Sequence, residues 1–336
     1  MPSMKTGLFC NYDNYHQDAR RAIFEQVLLV KQAENLGFEE AWVSEHHFNE
    51  SNLSPSLVPL MAHLAGVTST ICLGTGAVLL PFHNPIRVAE DMATLDNLCS
   101  GRLAFGIAKG GPFPQQNQHF GVSTHESRKR MLEAAALIQK LLYETNVTFN
   151  GQFYQCADLT VYPQPLQKPI PVYVASGDDD AITYAAENSF GLMGGPPFSL
   201  VRLKNTVSKY RQLNSSGADK FLLARFFFVA KTYDEAVSEA LPFIRKFSNK
   251  MTANSTQVMQ NSPQPQKAYD QTNICFEEDF LIENSIIGDV ETCRGKIEKF
   301  QDELNLGTLA LKPSSFSLQK NRESLERYNQ EVRNYV

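Results

Sequence analysis

The chain has 336 residues, 43% of them hydrophobic and 20% charged, with a formal net charge of -5. This composition supports a sizeable globular core and excludes the basic electrostatic footprint of a nucleic-acid binder. No apolar run reaches membrane length, the opening Met1-Pro2-Ser3-Met4-Lys5 has no apolar signal core, and the six cysteines lack CxxC spacing. The expectation is a cytoplasmic protein with reduced thiols that touches neither membrane nor nucleic acid.

Thr6 to Cys10 reads as a first strand, and residues 19–36 as a helix with Ile23, Val27 and Val30 on one face and Gly37 as its stop. Ala41-Trp42-Val43 is a short buried strand, followed by a helix starting near Ser54-Pro55. Ile71 to Leu80 reads as one strand containing Gly74 and Gly76, and Pro85 suits the first turn of a helix reaching Leu98. Arg102 to Ile107 is a fourth strand, with a long helix from Glu126 to Tyr143 behind it. Val147–Phe149 and Phe153–Tyr154 flank the turn dipeptide Asn150-Gly151 and predict a small hairpin.

Strands at Val172–Ala175 and Gly191–Met193 alternate with helices at 179–188 and 199–214, and Phe221–Val229 is the most continuous apolar strand. After a helix at 233–247 the pattern lapses. Residues 248–284, rich in Asn, Gln, Ser and Pro, read as a mobile lid or excursion within the same domain. A helix at 289–304, a strand at Thr308–Leu311 and a charged final helix complete the chain. Eight strands, each with a helix, predict one (β/α)8 TIM barrel over residues 1–336, a length such barrels commonly have. The rival doubly wound sheet lacks its fingerprint, because Gly106-Ile107-Ala108-Lys109-Gly110-Gly111 is not GxGxxG.

Chemistry concentrates after the second strand, in Ser44-Glu45-His46-His47-Phe48-Asn49. The C-terminal ends of barrel strands build active sites, and histidine moves protons near neutral pH. Alternation along a strand predicts that one ring faces the barrel interior while the other points toward the helices, and residue chemistry alone leaves either as the catalytic one. Adjacent histidines cannot chelate like an i,i+4 pair, and with no HExxH motif the expectation is no metal, a third ligand from His83 being the weaker reading. Ser176 lacks a GxSxG elbow. Asp178, Asp179 and Asp180 read as a helix cap with acids in the first turn, against a magnesium corner. Lys109 with Gly110-Gly111, joined by Arg128, can hold an anion through cations and backbone N–H groups.

Several ordered segments resemble those of the bacterial luciferase-like, flavin-dependent monooxygenases, most of all the luciferase catalytic subunits. They are Glu45-His46-His47-Phe48, Leu73 to Pro81, His83-Asn84-Pro85-Ile86-Arg87, Ala89-Glu90-Asp91, Leu95-Asp96-Asn97-Leu98 and Ser100 to Gly106. The resemblance is dense over residues 5–130 and weakens toward the C-terminus. It implies a TIM barrel that takes reduced FMN from a separate flavin reductase, reacts it with O2, and uses the flavin C4a-peroxide on a small or medium apolar substrate such as an aldehyde or ketone. It implies His46 as the catalytic histidine with His47 in support, and Glu45 beside the flavin ring. Gly76-Ala77 corresponds to a non-proline cis peptide under the ring, and Lys109 and Arg128 to phosphate-binding arginines. A homo- or heterodimer is also implied.

The departures are informative. Ala108 replaces a cysteine at the flavin edge, and Lys109 gives up bidentate phosphate geometry. Asp178 and Ala181 stand near the family's phosphate-binding serine and threonine, which leaves Ser176 and Gly177 as substitute donors. Two other readings are an F420-dependent oxidoreductase on the same fold, which the full Glu-His-His-Phe motif disfavours, and a non-catalytic flavin-binding or partner subunit.

Overall fold

The computed structural model describes residues 4–111, 113–215, 220–261 and 275–335. In chain order the strands are β1 (Lys5–Cys10), β2 (Glu40–Val43), β3 (Cys72–Thr75), β4 (Val78–Leu79), β5 (Leu103–Ala108), β6 (Val147–Asn150), β7 (Gln155–Leu159), β8 (Val172–Val174), β9 (Gly191–Gly194), β10 (Phe221–Val229), β11 (Ile286–Gly288) and β12 (Thr308–Pro313). A closed parallel ring runs β1-β2-β3-β5-β8-β9-β10-β12 and back to β1. β4 and β11 pair at its margin with β5 and β10, while β6 and β7 form the separate antiparallel hairpin. This is the predicted TIM barrel.

Local sequence explains the helices that wrap it. α1 (Ala19–Asn35) starts where the Asp18 carboxylate accepts from Arg21 N, and it ends at Gly37, whose φ of 76° a side chain would disfavour. It buries Val27 and Val30 as the periodicity predicts, while Ile23 is only partly buried. α2 (Leu57–Val67) follows β2. α3 (Pro85–Leu98) has Asn84 as its cap, with the side chain accepting from Ile86 N, and Pro85 at its first turn. Then come α4 (Pro114–His119), α5 (Ser127–Tyr143), α6 (Asp179–Glu187), α7 (Leu200–Leu213), α8 (Tyr233–Asn261), α9 (Glu278–Glu283), α10 (Val290–Leu304) and α11 (Leu318–Arg327).

Inside the ring a fully buried Trp42 packs with Ala77, Ala104, Met193, Leu222, Ala224 and Ala310. One indole fills the barrel because its neighbours are small. A Cβ on Gly74 would lie 2.3 Å from the Trp42 ring, so glycine there makes room for it. Trp42 Nε1 donates to Glu40 Oε2 at 2.8 Å, and Glu40 also accepts from Lys5 Nζ and Thr308 Oγ1, which satisfies a buried carboxylate at the barrel floor.

Two expectations need correction. The strand predicted over Ile71–Leu80 is broken into β3 and β4 by a cis Gly76–Ala77 peptide, and Leu80–Phe82 is a 3-10 turn. The helix expected to stop at 247 continues to Asn261, and Phe243 and Phe247 pack it on Phe226 of β10. Residues 248–261 and 278–283 of the predicted excursion are therefore helical; 262–274 lie outside the described residues.

Candidate active site at the barrel mouth

β2 ends at Val43, so residues 44–49 leave the sheet and strand alternation no longer governs them. The two rings diverge nonetheless. His46 lines a cavity, whereas His47 turns toward Phe82, His83 and Phe120. Burial, and after it the cations Lys312 and Lys250, bring the His46 pKa down to about 4. His46 is thus a neutral imidazole at pH 7, able to accept a proton or donate a hydrogen bond.

Glu45 is buried and organises its neighbours. Its Oε1 meets His47 Nε2 at 2.6 Å and His83 Nε2 at 2.7 Å, and its Oε2 accepts from Leu79 N at 3.1 Å. Glu45, His47 and His83 offer three ligand atoms within 4.8 Å of one another. Separations of 2.6 and 2.7 Å are nevertheless those of hydrogen bonds. Tetrahedral zinc, bound at about 2.0–2.1 Å, would hold its ligand atoms roughly 3.3 Å apart. His83, read from sequence as a conceivable third metal ligand and as part of the family motif, joins this hydrogen-bonded unit.

Burial opposes charge on both partners, but the hydrogen bonds win. Glu45 titrates below its ordinary 4.5 and His83 above its ordinary 6.5. A depressed carboxylate stabilises the fold above pH 4.5 and loses that contribution as pH falls through its folded value; a raised histidine stabilises below pH 6.5 and loses it as pH rises through its own. Between pH 4.5 and 6.5 both contributions are fully present. Glu45→Gln is therefore expected to destabilise by about 1.5–3 kcal/mol in that window and by less at pH 9. Urea unfolding at pH 5.5 and 9 checks this, and an equal loss at both would remove the ionic explanation.

β5 and β8 supply the second cluster. The Gly76–Ala77 peptide sits at the opening between, above Trp42, Phe9 and Met193, and Ala108 at the end of β5 packs against the same interior. Lys109 follows Ala108. Desolvation and Arg128, with Arg202 behind them, lower its pKa against the pull of Asp178. Arg128, on α5, pairs with Asp178 and more loosely with Asp180 at 3.6 Å, and its buried Nε has no hydrogen-bond partner. Asp178 caps α6 by accepting from Asp180 N at 3.2 Å and receives no magnesium-like ligand partner among the described residues. Its charge is spent on Arg128. Ser176 Oγ accepts from Asp178 N at 3.1 Å, and a Cβ at Gly177 would fall 3.1 Å from Arg202 Nη2.

Lys109, Arg128, Ser176 and Gly177 thus gather after β5 and β8, whereas Glu45 holds His47 and His46 turns away from both into the cavity. Sequence reasoning missed Arg202, Lys250 and Lys312. Arg202 lies in the first turn of α7, three residues after its Ser199 cap, where the helix dipole disfavours a cation; that placement is a readable signal. Lys312 ends an otherwise apolar strand, the position where barrel chemistry gathers.

A family model described as luciferase-like monooxygenase matches residues 4–304. The oxygenase component of a flavin-dependent trigonelline monooxygenase from Acinetobacter baylyi is 30% identical over 197 residues, covering 57% of this chain and 54% of that protein. An F420-dependent glucose-6-phosphate dehydrogenase from Kineococcus radiotolerans is 32% identical over 220 residues, 62% of this chain and 64% of that one. These alignments span little more than half the length of either relative. The crystal structure of monooxygenase RslO1 from Streptomyces bottropensis superposes with a TM-score of 0.83 at 22% identity, covering 98% of both chains.

Proposed function

We propose that this chain, which belongs to the luciferase-like monooxygenase family, is the oxygenase of a two-component system. It would take FMNH2 from a separate reductase, use O2, and oxidise a small or medium organic molecule. One arrangement carries the reading: a neutral imidazole after β2 and a cluster of cations after β5, with the Gly76–Ala77 peptide after β3, between them in strand order.

The residues suit a flavin phosphate and ring. Lys109 and Arg128 supply positive charge, and the orphaned Arg128 Nε is a donor lacking an acceptor. Gly177 leaves the backbone open beside Arg202, which a side chain would crowd. Among the described residues the neighbours of Gly76 and Ala77 include Phe9, Trp42 and Met193, an apolar setting that suits a planar ring. Bound reduced flavin supplies the electrons that activate O2. The protein's own part is placement and proton handling. His46, uncharged and facing the cavity, can take a proton from the substrate or hold one at a developing oxyanion. His47, locked to Glu45, fixes the loop that aims His46.

The F420-dependent relative supports a second reading, a deazaflavin oxidoreductase on the same barrel. Anaerobic titration separates the two. FMNH2 is expected to bind and, on admission of O2, to be consumed in step with oxygen, while reduced F420 binds more weakly. Tighter binding of F420 would favour the second reading, and no binding of FMN, FMNH2 or F420 would overturn both.

A further inference from the structure

Between His46 and α8 lies a solvent-open cavity of about 570 Å³, the open water at its mouth included. It lies against the ends of β1 and β12 and against α8, with the loop after β2 and Phe113 after β5 completing its wall. Its walls are aromatic, with Tyr15, Phe113, Phe243, Phe247 and Phe316, yet three lysines also line it: Lys246, Lys250 and Lys312. Among the described residues Asp13 is the one acid on its lining, and it is already engaged. It sits 3.3 Å from Lys312 Nζ and accepts from Asn52 Nδ2 at 2.8 Å.

Lys250 differs. Half-buried on α8, it donates to the neutral Asn49 Oδ1 and has no ion pair among the described residues. The carboxylates of Glu50 and Asp13 act on Lys250 through space without pairing with it. A largely aromatic cavity lined by three lysines and one acid is complementary to an anion on a bulky body.

We propose that the substrate carries a carboxylate on an aromatic or branched apolar body, which packs among Phe243, Phe247 and Phe316 while the carboxylate meets Lys250 beside the Lys312–Asp13 pair. The proposal rests on the oxygenase reading for its chemistry, and it narrows the apolar aldehyde or ketone expected from sequence to one bearing an acid. It requires no new reaction step, because His46 on the cavity wall faces the body of the same molecule.

Calorimetric titration with phenylacetate and its neutral isostere phenylacetamide, with and without saturating FMN, tests it. The acid is expected to bind ~tenfold tighter than the amide, the difference one charge-assisted contact supplies. Lys250→Met should abolish that preference and Lys250→Arg should restore it. Equal binding of acid and amide, binding of neither, survival of the preference in Lys250→Met, or loss of phenylacetate when FMN is added would each overturn the proposal. Failure of every flavin and F420 to bind, with the acid preference intact, would instead remove the oxygenase reading and leave the cavity assignment standing.

Discussion

Replacing His46 with alanine is expected to cut substrate oxidation by roughly 10²–10⁴-fold, the range a positioned general acid or base supplies. The loss should fall on turnover, because His46 lies away from the Lys109 and Arg128 end; FMN affinity should stay within a few-fold. Single-turnover mixing of the FMNH2-loaded protein with O2 and a panel of aldehydes, ketones and their acid-bearing analogues, with product quantified, makes the comparison. The pH dependence carries a second signature. With its pKa near 4, His46 is neutral above pH 5, so the step it serves should be flat from pH 6 to 8 and decline only in acid. Full product yield from His46→Ala, or an acid limb centred near 6.5, would dismiss the role.

The second large effect is expected at Arg128. Arg128→Ala should weaken FMN binding by about 1.5–3 kcal/mol, roughly ten- to a hundredfold, the worth of a hydrogen bond to a charged partner. Riboflavin, which lacks the phosphate, should bind the variant and the parent alike. Asp178→Asn works in the opposite direction. Asp178 pairs with Arg128 and competes for its charge, so neutralising it should strengthen FMN binding. Fluorescence titration of FMN and riboflavin against the three proteins decides between them. Parallel loss of both ligands in Arg128→Ala would place the phosphate elsewhere.

Most of the barrel was legible because its signals are local. Phe221–Val229 could only be a strand buried on both faces, and Asn84-Pro85 writes a helix start that the backbone follows. The break between β3 and β4 left no trace in hydropathy, since Gly76 and Ala77 sit in an apolar run that reads as continuous. The end of α8 was missed for a related reason. Its polar residues suggest a loop, while the contacts of Phe243 and Phe247 with Phe226 are tertiary. Within the site, Glu45, His46 and His47 could be found by position on the chain. Residue chemistry alone left their roles open and only the resemblance divided them, because the geometry depends on His83, which lies 38 residues away from Glu45 and shares its carboxylate oxygen.

α8 has a consequence for how this scaffold can diversify. Phe243 and Phe247 anchor the helix to β10, while Lys246, Lys250 and Met251 line the cavity one and two turns on. On the proposed reading, changes at 246, 250 and 251 would reshape the substrate cavity without touching Lys109 or Arg128, so a lineage could explore new substrates while keeping its cofactor.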